Sequence, residues 1–264
     1  MFCVERCELP RQGVLLACAT QFLTRLPVPV PEDFKPEWVN RSARYFPLVG
    51  QGVGLASALV LLAAARLWPS WLAALLALLT GVLLTGALHE DGLADTADGL
   101  AGGANPAQRL MIMKDSRIGA YGVLALGFCM ALKLAGLAAL TPWHAALALV
   151  AAHGVARAAT VWVMHALPYA GDDTSAKLST KNQPPGRGEL ALALALAAWP
   201  LLFLPPGRVL LGLGICAGLT LCMGWAARRL VGGQRGDILG AVEQLCEAGF
   251  LLGCAARLGA AHWS

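Results

Sequence analysis

The apolar and polar positions of this chain alternate on the scale of whole segments. Runs without any Asp, Glu, Lys or Arg cover 45–65, 67–89, 134–156, 190–207 and 209–227, which are 21, 23, 23, 18 and 19 residues long. A helix needs roughly 20 apolar residues to cross a bilayer core. Two further segments read as spans carrying a few charges: 118–140, interrupted by Lys133, and 238–261, interrupted by Glu243, Glu247 and Arg257. The pattern predicts an all-α, polytopic integral membrane helix bundle of about seven transmembrane helices, one membrane-embedded domain over 1–264. Gly13–Thr24 is too short to span and is followed by Pro27 and Pro29, so it is expected to lie at the interface or to re-enter.

Composition sharpens this. Only 14% of the 264 residues are charged and 57% are apolar, whereas soluble domains carry about a quarter charged residues. A soluble enzyme, a disordered chain and a nucleic-acid binder with a basic groove are excluded. The net charge of +4 follows from topology. With the N-terminus inside, the inner loops hold 15 basic residues, in the groups 6–44, 109–117, 177–187 and 228–235, against Arg66 and Arg208 outside. That asymmetry sets the orientation and puts the long, acid-bearing loops on the cytoplasmic side. The eight cysteines are scattered without a CxxC pair, and Cys3 and Cys7 lack a second pair to bind metal with. Leu15-Leu16-Ala17-Cys18 faintly resembles a lipoprotein cleavage site, but Glu5, Glu8 and a short apolar run argue against cleavage.

The chemistry-bearing segment is His89-Glu90-Asp91-Gly92-Leu93-Ala94-Asp95-Thr96-Ala97-Asp98-Gly99, directly after an apolar run. Asp91, Asp95 and Asp98 are spaced i, i+4, i+7 and form one carboxylate stripe on a helix. Like charges at that spacing repel, and Gly92 weakens the helix by about 1 kcal/mol more. A costly acidic stripe at membrane depth points to function, and hard divalent cations such as Mg²⁺ take carboxylates together with substrate phosphates. The plain alternative is a solvated helix end. Downstream, Gly102-Gly103-Ala104-Asn105-Pro106 breaks the helix, and Arg109, Lys114 and Arg117 bring cations near the stripe, as a diphosphate would require. Taken alone, that basic loop is equally explained by topology.

The blocks His89-x-Asp91-Gly92-Leu93-Ala94-Asp95-Thr96-Ala97-Asp98-Gly99 and Met113-Lys114-Asp115-Ser116-Arg117-Ile118-Gly119-Ala120-Tyr121-Gly122 resemble the cobalamin synthase family. Its members are adenosylcobinamide-GDP ribazoletransferases, or cobalamin 5'-phosphate synthases. Phe22-Leu23-Thr24-Arg25-Leu26-Pro27, Phe46-Pro47-Leu48-Val49-Gly50 and Gly232-Gly233-x-x-Gly236-Asp237-x-x-Gly240-Ala241 are similar to other blocks of that family, in order. The resemblance implies a magnesium-dependent membrane transferase late in cobalamin synthesis. It would join adenosylcobinamide-GDP to α-ribazole (or its 5'-phosphate), giving adenosylcobalamin (or its 5'-phosphate) and GMP. Asp91, Asp95 and Asp98 are the expected metal ligands, and with Asp237 the expected catalytic set. His89, Arg109, Lys114, Asp115, Arg117 and Arg157 are the expected substrate contacts. The partners expected are these small molecules and the lipid bilayer, with no nucleic acid. A homo-oligomer is compatible with the pattern.

Other positions carry two readings each. Asp237, Gly240, Gln244 and Glu247 share one face of a helix starting near Gly236, whereas Glu243 is expected to point away. Asp237 would complete the metal site or take the nucleophile's proton, or else simply cap the helix. Arg157 would contact phosphate or the corrinoid's amides, or else pair with Glu247. Lys133 is expected to snorkel. Gly50 and Gly54 read as a close helix contact. Arg235 stands where the family usually has Thr or Ser, and the arginine that many members carry after the Pro168-Tyr169-Ala170 run is absent, leaving Lys177, Lys181 or Arg187 to substitute. CDP-alcohol phosphotransferases need Ala-Arg after the first Asp-Gly, but Asp95 follows Ala94 here. Membrane prenyltransferases usually carry a second Asp-rich motif, and transporters an internal repeat; neither is visible.

Overall fold

The computed structural model describes residues 12–29, 37–170 and 184–257. In chain order the helices are α1 (Gln12–Leu23), α2 (Glu37–Ser42), α3 (Phe46–Ala64), α4 (Ser70–Thr85), α5 (Leu88–Gly102), α6 (Pro106–Ile112), α7 (Ala120–Ala138), α8 (Pro142–Ala166), α9 (Arg187–Ala198), α10 (Pro206–Val231) and α11 (Gly236–Ala255). No strand occurs among the described residues. A single bridge joins Tyr169 to Gln234 and ties the end of α8 to the turn before α11. The all-α membrane bundle expected from the sequence is the fold observed.

Among the described residues, five helical segments are long and apolar enough to cross a membrane: Trp38–Ala64, α7, α8, α10 and α11. α4 and α5 make a sixth if taken as one broken span, bent by 89°. The expected span over 190–207 is instead the 12-residue α9 running into a 3-10 turn at Trp199–Phe203. Pro200 cannot donate to an α-helical ladder, which is why the α-helix stops there. This segment still runs between the two ends of the bundle. Glu189 pairs with Arg44 at 2.5 Å beside the start of α3, and the 3-10 turn leads into α10, which ends near Pro168 at the close of α8.

α8 is the central helix, with 83% of its most apolar window buried against 28% for α7 and α10, whose outer faces carry Phe128, Leu210, Leu221 and Trp225 toward lipid. α3 packs closely on α8 because Gly50 and Gly54 lack side chains. A Cβ at Gly50 would lie 2.5 Å from the His153 carbonyl oxygen, and one at Gly54 2.9 Å from that of Leu149. The close contact expected for these two glycines is present.

The break between α4 and α5 places the acidic segment. Gly86 takes φ +66 and Ala87 φ +59, a left-handed pair costing an L-residue roughly 1–2 kcal/mol. The amides of both close the end of α4 on the Val82 carbonyl. The Arg25 side chain lies across Gly86, where any Cβ would collide with its Nε, and the Arg25 amide donates to Leu84 O at 2.8 Å. The chain thus leaves α4 at a fixed angle and lays α5 across the first turns of α11.

Candidate functional site

α5 and α11 cross where both are glycine. A Cβ at Gly92 would sit 2.8 Å from the Asp237 carbonyl oxygen and 3.2 Å from the Cα of Gly240. One at Gly240 would sit 3.1 Å from the His89 carbonyl oxygen. Gly92 reads in the sequence as a weak point of the helix; in the fold it lets two backbones touch. The crossing brings Asp237, in the first turn of α11, to Asp91 and Asp95 of α5, and the three carboxylates repel one another. Asp91 is exposed, Asp95 half-buried and Asp237 half-buried. All three offer hard oxygen donors of the kind Mg²⁺ takes, but their carboxylates are not drawn within 4.8 Å of one another as the ligand atoms of His153, Glu243 and Glu247 are. Arg235 reaches Asp237 Oδ2 at 2.9 Å, so the residue that departs from the family's hydroxyl supplies a cation to the set.

Asp98 has the same helical phase but is buried, and both its oxygens are engaged. It accepts the amides of Gly119 at 2.7 Å and Gly122 at 2.9 Å, which are otherwise unpaired donors at the start of α7. Asp98 therefore ties the loop 113–119 to α5, and its oxygens have less left for a cation than those of Asp91, Asp95 and Asp237. In that loop Lys114 is exposed, and Asp115 and Arg117 form a fork, Nη2 to Oδ2 at 2.6 Å and Nε to Oδ1 at 3.0 Å. The guanidinium holds the Asp115 carboxyl down at about 2. Arg109 points back instead, donating to Leu230 O at 3.2 Å, and Gly103 makes room for its stem. The loop break expected at 102–106 is capped by Asn105, whose side chain accepts the Gln108 amide at 2.9 Å.

Two residues expected at the substrate lie in the interior. His89 is buried, with Nδ1 4.0 Å from Glu243 Oε2. Arg157 is only 1% exposed and holds Glu243 at 2.6 Å and Glu247 at 3.1 Å, so the pairing alternative is the one its geometry supports. Glu243 does not point away: it is buried, because α8 packs on that side of α11 and Arg157 reaches it. Lys133 does not snorkel: it is buried and donates to Gln244 Oε1 at 2.7 Å and to Glu247 Oε2 at 2.6 Å. His153 also pairs with Glu247. Ligand atoms of His153, Glu243 and Glu247 lie within 4.8 Å of one another, but Lys133 and Arg157 already set two cations on those carboxylates. An ion-pair cluster describes this group better than a metal site. The cavity among Thr85, His89, Glu90, Lys133, His153 and Arg157 is about 20 Å³, room for about one water. The larger groove between α8, α9 and α10, about 480 Å³, is lined by Trp162, Leu194, Leu213 and Leu221 and offers no convergent polar groups.

Glu90 is the functional neighbour that sequence reading passed over. Its Oε1 accepts from Gln244 Nε2 at 3.0 Å, a contact between residues 154 positions apart that no local pattern signals. Lys177 and Lys181, like Cys3 and Cys7, lie outside the described residues; Arg187 is exposed at the start of α9.

The profile of the family described as cobalamin-5-phosphate synthase matches residues 15–255. A Leptothrix cholodnii protein named adenosylcobinamide-GDP ribazoletransferase is 45% identical over 93% of this chain and 96% of its own. Proteins of the same name from Azorhizobium caulinodans and a Shewanella species are 45% and 40% identical, over 90% and 92% of this chain and 94% of each relative. No solved structure matches. With the Asp91–Asp95–Asp237 crossing and the Asp98-anchored loop falling within the matched blocks, the chain belongs to the cobalamin-5-phosphate synthase family.

Proposed function

We propose that this chain transfers the cobinamide-phosphate moiety of adenosylcobinamide-GDP to α-ribazole or its 5'-phosphate, releasing GMP and leaving adenosylcobalamin or its 5'-phosphate. The observation that carries this reading is the meeting of Asp91 and Asp95 with Asp237 beside the loop of Lys114 and Arg117. The ribazole hydroxyl oxygen forms a bond to the phosphorus next to cobinamide, the bond from that phosphorus to the GMP oxygen breaks, and the hydroxyl proton is lost. Asp91, Asp95 and Asp237 are the residues that would hold Mg²⁺, which when bound neutralises charge growing on the diphosphate oxygens.

The remaining work falls to the chain's own groups. Lys114 offers an exposed ammonium to a phosphate, and Arg117 offers the edge of its guanidinium that Asp115 leaves free. Asp98 keeps that loop at a fixed distance from α5. A carboxylate of the set, Asp237 in this reading, takes the hydroxyl proton. Arg109 reaches Leu230 and Arg235 reaches Asp237, so these basic segments share the end of the bundle with α5, and the positive-inside rule supports reading that face as cytoplasmic. The test uses purified protein in liposomes with adenosylcobinamide-GDP and α-ribazole. Metal-dependent GMP release matched by corrinoid product supports the reading, and absence of product from folded protein overturns it.

A further inference from the structure

Gln244 is a saturated junction inside the bundle. It is 2% exposed. Its Oε1 accepts from Lys133 of α7 at 2.7 Å, and its Nε2 donates to Glu90 of α5 at 3.0 Å and to Glu243 at 3.1 Å. Lysine can only donate and a carboxylate only accept, so these partners fix which end of the amide faces which helix. Neither a carboxylate nor an ammonium could occupy the position, since each would meet at least one partner of its own kind. Behind Gln244, Lys133, His153 and Arg157 pair with Glu243 and Glu247. Such buried pairs add little net stability but break at high cost, which makes the junction stiff. Glu90 is the residue before Asp91, and Gln244 is two turns along α11 from Asp237.

We propose that Gln244 is a positioning residue. Through Glu90 it holds the first turn of α5 in register with α11, and so keeps Asp91 and Asp95 on the side of α5 that meets Asp237. This rests on the reading of those three carboxylates as the metal-holding set. The Gly92–Gly240 contact sets how close the two helices come, and the Gln244–Glu90 hydrogen bond sets how far α5 is rotated and slid along α11. A metal site tolerates displacements of only about 0.2 Å in ligand distance, so a lost register weakens metal binding before it unfolds the bundle.

The experiment measures Mn²⁺ binding by electron paramagnetic resonance on full-length protein in nanodiscs, without substrates, beside thermal melting of each variant. Gln244→Leu and Glu90→Leu are expected to raise the Mn²⁺ concentration for half-saturation at least tenfold. Glu90→Gln keeps an acceptor for Gln244 and is expected to stay within threefold of the parent. If Gln244→Leu fails to fold, the Glu90 pair decides the matter, since Glu90 lies at the edge of the cluster. Equal Mn²⁺ affinity in Glu90→Leu and Glu90→Gln overturns the proposal, as does a lowered melting temperature with unchanged affinity. Mn²⁺ binding by the parent without transfer of ribazole refutes the proposed activity instead, so the two failures are distinct.

Discussion

Gly92→Ala separates stability from activity. The new methyl would stand 2.8 Å from the Asp237 carbonyl oxygen and 3.2 Å from the Cα atoms of Asp237 and Gly240, about 0.6 Å inside ordinary contact at its closest. All three neighbours are backbone, so no side chain can swing aside and the helices must part. Overpacking of this kind costs about 1–3 kcal/mol, and replacing a helical glycine by alanine returns about 1 kcal/mol. The net loss is therefore about 0–2 kcal/mol, and the melting temperature should fall by about 0–8 °C for a chain of this length. The carboxylates of α5 and α11 would separate by several tenths of an ångström. Misplacement on the ångström scale costs on the order of 100-fold in rate, so turnover should fall about 10- to 100-fold with a higher Mg²⁺ requirement. Parallel melting curves and GMP-release rates against Mg²⁺ measure both. A variant with parental rate and parental Mg²⁺ dependence would refute the claim that this crossing sets the site.

Asp98→Ala removes both acceptors of the Gly119 and Gly122 amides; at about 1–3 kcal/mol for buried donors left unpaired, it should expose the 113–119 loop to limited proteolysis while α5 stays helical. Arg157→Met strands Glu243 and Glu247 beside one remaining cation and should destabilise by about 3–5 kcal/mol, read as lost folded yield in detergent. Lys114→Ala should raise KM for adenosylcobinamide-GDP more than it lowers kcat, because the side chain is exposed on the 113–119 loop and free to reach a phosphate. The Asp115 carboxyl is depressed to about 2, so its pair with Arg117 is present at all pH values above that and lost only as pH falls through it. Asp115→Asn should accordingly leave the shape of the rate profile between pH 5 and 9 unchanged.

The bundle is legible in the sequence because hydrocarbon tolerates few charges, and uncharged runs of bilayer length have few other uses. The carboxylate stripe is legible for the related reason that three acids on one helical face at membrane depth are costly. What is hidden is whatever depends on a partner far along the chain. Nothing near Asp98 says that the start of α7 will claim its oxygens, so a shared helical phase with Asp91 and Asp95 overstates its kinship with them. Glu243 and Lys133 look misplaced on their own helices, and only the packing of α7 and α8 against α11 supplies their counter-ions. Gly92 reads as a defect until α11 is laid on it. Absence of charge alone makes 190–207 look like one span, and Pro200 inside that run is the sequence signal for the end of α9.

The proposed transfer requires the carboxylates of Asp91 and Asp95. The decisive measurement compares the parent with Asp91→Ala and Asp95→Ala, each purified in detergent and shown to be monodisperse. GMP and corrinoid product are followed from adenosylcobinamide-GDP and α-ribazole across a Mg²⁺ titration. Mg²⁺-dependent product is expected from the parent and none from either variant, although both insert and fold. Full activity in both variants would contradict that requirement.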